Sequence, residues 1–109
     1  MSKDLKTLVM KFGGSSLKDS ERFQIIASII AKRAKEYSRI VVVVSAMGNT
    51  TDRLVKLGYK VHKSPPRREF DMLLSAGERL SIALLAMALD SMGMPSISFT
   101  GSQSGIITT

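Results

Sequence analysis

Apolar and polar residues along this chain change period several times, and each change marks a predicted element. Thr7 to Phe12 (TLVMKF) is a short, mostly apolar run and reads as a first strand. From Ser20 to about Tyr37, residues Phe23, Ile26, Ala27, Ile30, Ala34 and Tyr37 recur at helical spacing. Arg22, Lys32, Arg33 and Lys35 fall on other faces, so the stretch predicts an amphipathic helix with Asp19 or Ser20 as its N-cap. Ile40 to Val44 is an unbroken β-branched run. A strand without polar alternation is expected to be covered on both faces, as in a parallel sheet with helices either side. MGNTTDRL supplies a Gly-Asn turn and the start of a second helix near Thr51, which Pro65 and Pro66 end. Helical periodicity resumes at Glu69, with Gly77 as a kink or break and Gly93 as the stop. PSISF is a third strand, and TGSQSGIITT begins a loop and a further strand.

Strands alternating with helices predict an α/β sheet with crossover helices. At 109 residues there is room for one domain at most, burying roughly 60–70% of the surface its unfolded chain exposes. The sheet is small and GIITT reads as an interrupted element, so residues 1–109 are expected to be the N-terminal portion of a longer protein. Neither a repeat nor a low-complexity segment occurs.

Composition narrows the chemistry. The 44% hydrophobic and 23% charged residues are those of an ordinary soluble globular protein. The absence of cysteine excludes a disulfide framework or a thiolate metal site. MSKDLKTL lacks the apolar core of a secretory signal, and the apolar runs read as too short to span a bilayer, so a cytoplasmic protein is expected. The net charge of +7 suits either nucleic acid or small anionic ligands. The basic stretch of Lys60, His62, Lys63, Arg67 and Arg68 has no interleaved aromatic stacking surface and reads as a solvated loop.

The first strand ends on a cation and two glycines, Lys11, Phe12, Gly13 and Gly14. Ligands of open α/β sheets bind beyond the carboxyl ends of the strands, where this segment lies. Glycines there allow positive φ and let N–H groups approach an anion without a Cβ in the way. Lys11 would add a compact positive charge beside the same phosphate. The order differs from a Walker A loop, whose lysine follows its glycines, and no G-x-G-x-x-G is present. Taken alone, the segment is equally a tight strand-to-helix turn with Lys11 reaching into solvent.

Four ordered segments, KFGGSSL, VSAMGNTTDRL, REFDMLLSAGERLS and SFTGSQSGIITT, decide between these readings. Together they resemble the aspartate kinases of the amino-acid-kinase superfamily, over about Val9 to Thr109. The resemblance implies a three-layer αβα sandwich with a mainly parallel sheet. It implies phosphorylation of the β-carboxylate of L-aspartate by ATP, with magnesium carried on the nucleotide's phosphates. By position, Lys11, Phe12, Gly13 and Gly14 would contact the nucleotide, with Lys11 as the catalytic cation. Ser45 and Thr51 would lie near the amino-acid substrate, and Glu78 would receive its ammonium. No protein metal site is implied. Local roles compete with each assignment: Ser45 as a strand end, Thr51 as an N-cap, Glu78 as an ion-pair partner of Arg79.

Aspartate kinases continue into a second glycine-rich segment and the adenine and ribose pocket, neither of which occurs in these residues. The chain alone is therefore expected to lack kinase activity and to act with the remainder of a kinase chain or as a homo-oligomer. Two other classes remain open: an interaction fragment whose unpaired sheet edge joins a partner chain, and a basic nucleic-acid-binding module. Neither nucleic acid nor membrane is expected as a partner.

Overall fold

The structure, a computed structural model, describes residues 6–99 and 105–108. Strand β1 (Thr7–Phe12) runs into a short 3-10 turn (Gly14–Leu17) and helix α1 (Ser20–Arg33). Strand β2 (Arg39–Val44), helices α2 (Thr50–Val61) and α3 (Arg67–Ser91), and strands β3 (Ser96–Phe99) and β4 (Gly105–Thr108) follow. The sheet order is β1-β2-β4-β3. β1 and β2 pair in parallel from Thr7–Arg39 to Phe12–Val44, with α1 as the crossover that a parallel pair requires. β4 is antiparallel to both β2 and β3, so β1, β2 and β3 share one direction and β4 alone opposes them.

α1 begins as predicted, with the Asp19 carboxylate accepting from the Arg22 N–H at 3.1 Å. It ends earlier than Tyr37: Ala34 N–H donates to Ile30 O, and the chain then turns. Tyr37 still packs on the core, its ring about 5.5 Å from the Arg33 guanidinium. α3 starts two residues before Glu69, directly after Pro66, whose carbonyl accepts from Phe70 N–H at 2.9 Å. It then runs through Gly77, which does not break the helix. Gly93 is the stop: with φ of +76° it lets Gly93 N–H donate to Asp90 O and Met94 N–H to Leu89 O, the paired bonds of a Schellman ending.

The core lies between the sheet and helices α1 and α3. Ile40, Val42 and Val44 of β2 meet Phe23, Ile26, Ala27 and Ile30 of α1 and Ile82, Leu85, Ala88 and Leu89 of α3. Leu8, Met10 and Phe12 extend this face along β1. On the other face, Val9 is 64% and Ile97 59% exposed, and among the described residues no helix covers them. Two of the three expected layers are therefore described.

α3 also corrects the expectation about membrane-spanning length. An 18-residue window within its 25 residues reaches a mean hydropathy of 1.6, enough by length and composition to cross a bilayer. Ile82, Leu85, Ala88 and Leu89 are instead spent on the core, as in the central helix of a globular domain.

This packing gives a sharp contrast within one helix turn. Leu85→Ala, at a fully buried position, is expected to cost about 2–5 kcal/mol in urea unfolding. Met87→Ala, 66% exposed, is expected to change stability by less than about 0.5 kcal/mol.

Candidate functional site

The parallel register brings β1 and β2 to their carboxyl ends at one level. Lys11 pairs with Val43 and Phe12 with Val44, and Ser45 N–H then donates to Phe12 O at 3.2 Å. The two loops that follow start side by side at the edge where open α/β sheets take ligands.

The first loop uses its glycines differently from the expectation. Gly13 has φ of −92° and ψ of 178°, extended backbone open to any residue, and positive φ among the described glycines is confined to Gly93. Conformation therefore does not require glycine here. Space does bear on it: a Cβ on Gly13 would meet nothing within 4 Å, so the backbone faces open room on that side. The first bond of the 3-10 turn is Ser16 N–H to Gly13 O, which leaves the N–H groups of Gly14 and Ser15 ahead of it. Lys11 is exposed and alternates with Phe12, which turns its ring to the helix-covered core. Any ligand contact by Phe12 would thus come from its backbone.

The second loop is held against the first. Gly48 N–H donates to the carbonyl of fully buried Leu17 at 3.3 Å. A Cβ on Gly48 would lie 3.4 Å from the Lys18 Cα, and one on Gly14 would lie 3.5 Å from the Ala46 oxygen. The loop ends in α2, where Thr50 N–H donates to Met47 O and Arg53 N–H to Asn49 O. Thr51 is thus inside the first turn, exposed, and the N-cap is Asn49, whose side chain makes no capping bond. The N–H groups of Thr51 and Asp52 precede the first intrahelical bond, at the positive end of the helix dipole. Asp52 opposes that field with its own charge.

α3 closes the arrangement. Gly77 is buried so tightly that a Cβ there would lie 2.9 Å from Ala46 Cβ, 3.2 Å from Thr50 Cγ2 and 3.4 Å from Leu54 Cδ1. The next residue is Glu78, half-buried beside this contact. Ala46, itself buried, therefore faces Gly14 with its oxygen and Gly77 with its methyl group. Ala46 is thus the point where the segments carrying Gly13–Gly14, Ser45 and Glu78 meet at one end of the sheet.

The competing local roles fare unevenly. Ion pairs among the described residues join Arg33 to Glu36 and Arg67 to Asp71, both at 3.9 Å, and neither involves Glu78 or Arg79. Ser45 does end a strand, and its N–H closes the β1–β2 ladder. His62 accepts from Ser64 N–H at 2.8 Å through Nδ1, a surface turn contact. No group of three or more His, Asp or Glu side chains among the described residues could hold a metal ion. Sequence reasoning missed Ala46, Gly48 and Gly77 as the residues that bring the segments together. Their signal was their small size next to the polar candidates, a cue too common to single out without contacts.

A sequence model of the amino acid kinase family matches residues 6–108. The aspartokinases of Mycolicibacterium smegmatis and Mycobacterium tuberculosis are each 55% identical over 102 residues, covering 94% of this chain and 24% of theirs. The aspartokinase of Corynebacterium glutamicum is 53% identical over the same length. A crystal structure of aspartate kinase from Synechocystis superposes with a TM-score of 0.84 at 49% identity, over 90% of this chain and 17% of that one. The chain spans about a quarter of the length of the curated relatives it matches.

The capping difference between α1 and α2 is measurable. Asp19→Ala is expected to cost about 1 kcal/mol in urea unfolding, through loss of a real cap bond. Asn49→Ala, which removes no such bond, is expected to cost less than about 0.5 kcal/mol.

Proposed function

The chain belongs to the amino acid kinase family, and we propose that it is the part of an aspartate kinase that grips the transferred phosphoryl group and the amino-acid acceptor. One observation carries this reading. The Lys11–Gly14 segment, the Ser45–Thr51 loop and the Glu78 turn meet around Ala46 at the carboxyl end of the parallel strands. A cation, helix-start N–H groups and a carboxylate at one rim suit a substrate pair of phosphate, carboxylate and ammonium.

Phosphoryl transfer asks the protein for positioning and charge neutralisation more than for covalent chemistry. ATP with magnesium would supply the phosphoryl group: a new P–O bond forms to the β-carboxylate of aspartate, the bond to the bridging oxygen breaks, and ADP leaves. The open side of Gly13 gives phosphate oxygens room to approach, and the N–H groups of Gly14 and Ser15, ahead of the first bond of the turn, would donate to them. Lys11 supplies a mobile positive charge for the oxygens that gain charge in transit. The start of α2 at Thr51 offers N–H donors and a hydroxyl to a carboxylate. Glu78 offers its charge to the substrate ammonium.

In this reading the product is 4-phospho-aspartate, the first intermediate towards lysine, threonine and methionine, formed in the cytoplasm where ATP is held. Its partners are L-aspartate, ATP and either the remainder of a kinase chain or further copies. The 109-residue chain alone is expected to show no aspartate kinase turnover, since it spans a quarter of its relatives.

Trapping the acyl phosphate with hydroxylamine tests the assignment in the intact kinase chain. Lys11→Ala is expected to lower kcat by about 100-fold or more with little change in the KM for aspartate. Glu78→Ala is expected chiefly to raise that KM. Unchanged turnover in Lys11→Ala would remove the phosphate-gripping role.

A further inference from the structure

We infer that Gly77 is a positioning residue whose missing side chain sets how closely Glu78 is held to the β2–α2 loop. The inference rests on the assignment of Glu78 to the amino-acid substrate and deepens it. A glycine in a helix interior weakens the helix, yet α3 continues unbroken on both sides of this one. Its compensation is contact: the bare Cα faces Ala46 Cβ, Thr50 Cγ2 and Leu54 Cδ1 at distances that a methyl group at residue 77 would reduce to 2.9–3.4 Å. Carbon atoms rest best at about 3.5–4.0 Å, so a side chain here would push α3 from the loop by roughly 0.5–1 Å.

Two further features tie that spacing to Glu78. Ser81, fully buried one turn on, donates its hydroxyl to the Gly77 carbonyl at 3.4 Å, fastening this turn from inside the helix. Ala46 and Thr50 lie within the segment bounded by Ser45 and Thr51, so the surface that meets Gly77 belongs to the same loop as the other acceptor-side candidates. Binding groups hold their geometry only within about 0.5 Å, and the displacement a methyl group forces is at least that large. On the nucleotide side, a Cβ on Gly14 would meet the Ala46 backbone oxygen at 3.5 Å, an ordinary contact, whereas the tight contact of Gly77 is with the Ala46 methyl group.

The test is steady-state kinetics of the intact kinase chain with Gly77→Ala, Gly77→Ala/Ala46→Gly and Glu78→Gln, alongside far-ultraviolet circular dichroism. Gly77→Ala is expected to raise the KM for aspartate about 10-fold while the KM for ATP stays within about 2-fold. Removing the opposing methyl group in Gly77→Ala/Ala46→Gly is expected to restore most of the aspartate affinity. Should Gly77→Ala alone fail to fold, the double variant still decides the matter, because it relieves the contact and is expected to bind aspartate nearly as the parent does. An unchanged aspartate KM in Gly77→Ala, an equal rise in both KM values, or no recovery in the double variant each overturns the inference. If these occur while Glu78→Gln still raises the aspartate KM, only the role of Gly77 is lost. An unchanged aspartate KM in Glu78→Gln removes the substrate assignment of Glu78 and the role of Gly77 together.

Discussion

The rim of this sheet depends on one small residue packed on two sides. Ala46 follows directly on the Ser45 that closes the β1–β2 ladder, with its oxygen against the Gly14 backbone and its methyl group against the bare Cα of Gly77. Close packing leaves little slack at such a point, because displacing any one of the three segments opens a void or forces a collision. The arrangement costs helix stability at Gly77 and contributes proximity in return. Strand, loop and helix thereby become one body at the end where the polar candidates gather.

Much of this architecture was legible in the sequence. The β-branched run of β2, the heptad-like spacing of Phe23, Ile26, Ala27 and Ile30, and the stop at Gly93 are local signals, and the structure follows them closely. The errors arose where a local rule met tertiary packing. Gly77 read as a kink or break because a helix-interior glycine usually weakens its helix; here α3 continues through it, packed against α1 and α2. The apolar runs read as too short for a bilayer, whereas the continuous α3 helix holds an 18-residue window apolar enough to cross one.

The candidate site was legible in its polar members and obscure in its apolar ones. Lys11, Ser45, Thr51 and Glu78 stand out because charge and hydroxyl groups are conspicuous next to strand ends and helix starts. The residues that bring them together have almost no side chains, and their importance is defined only by what would collide. Gly13 illustrates the converse. Its adjacency to Gly14 suggested unusual backbone angles, but the backbone is ordinary and the benefit of glycine is the empty space beside it. Strand direction was likewise hidden: β4 opposes its neighbours, and no residue pattern in GIIT distinguishes parallel from antiparallel pairing.

Alternation along β1 places Val9 and Lys11 on the face opposite the helices, with Val41 and Val43 as their partners in register. An apolar row and a charge therefore share one surface, and the driving force for covering the valines also acts on the lysine's surroundings. A layer laid over Val9 and Val41 would exclude water from the flank of Lys11 and lower the local dielectric. Completing the sandwich would therefore also strengthen the electric field of Lys11.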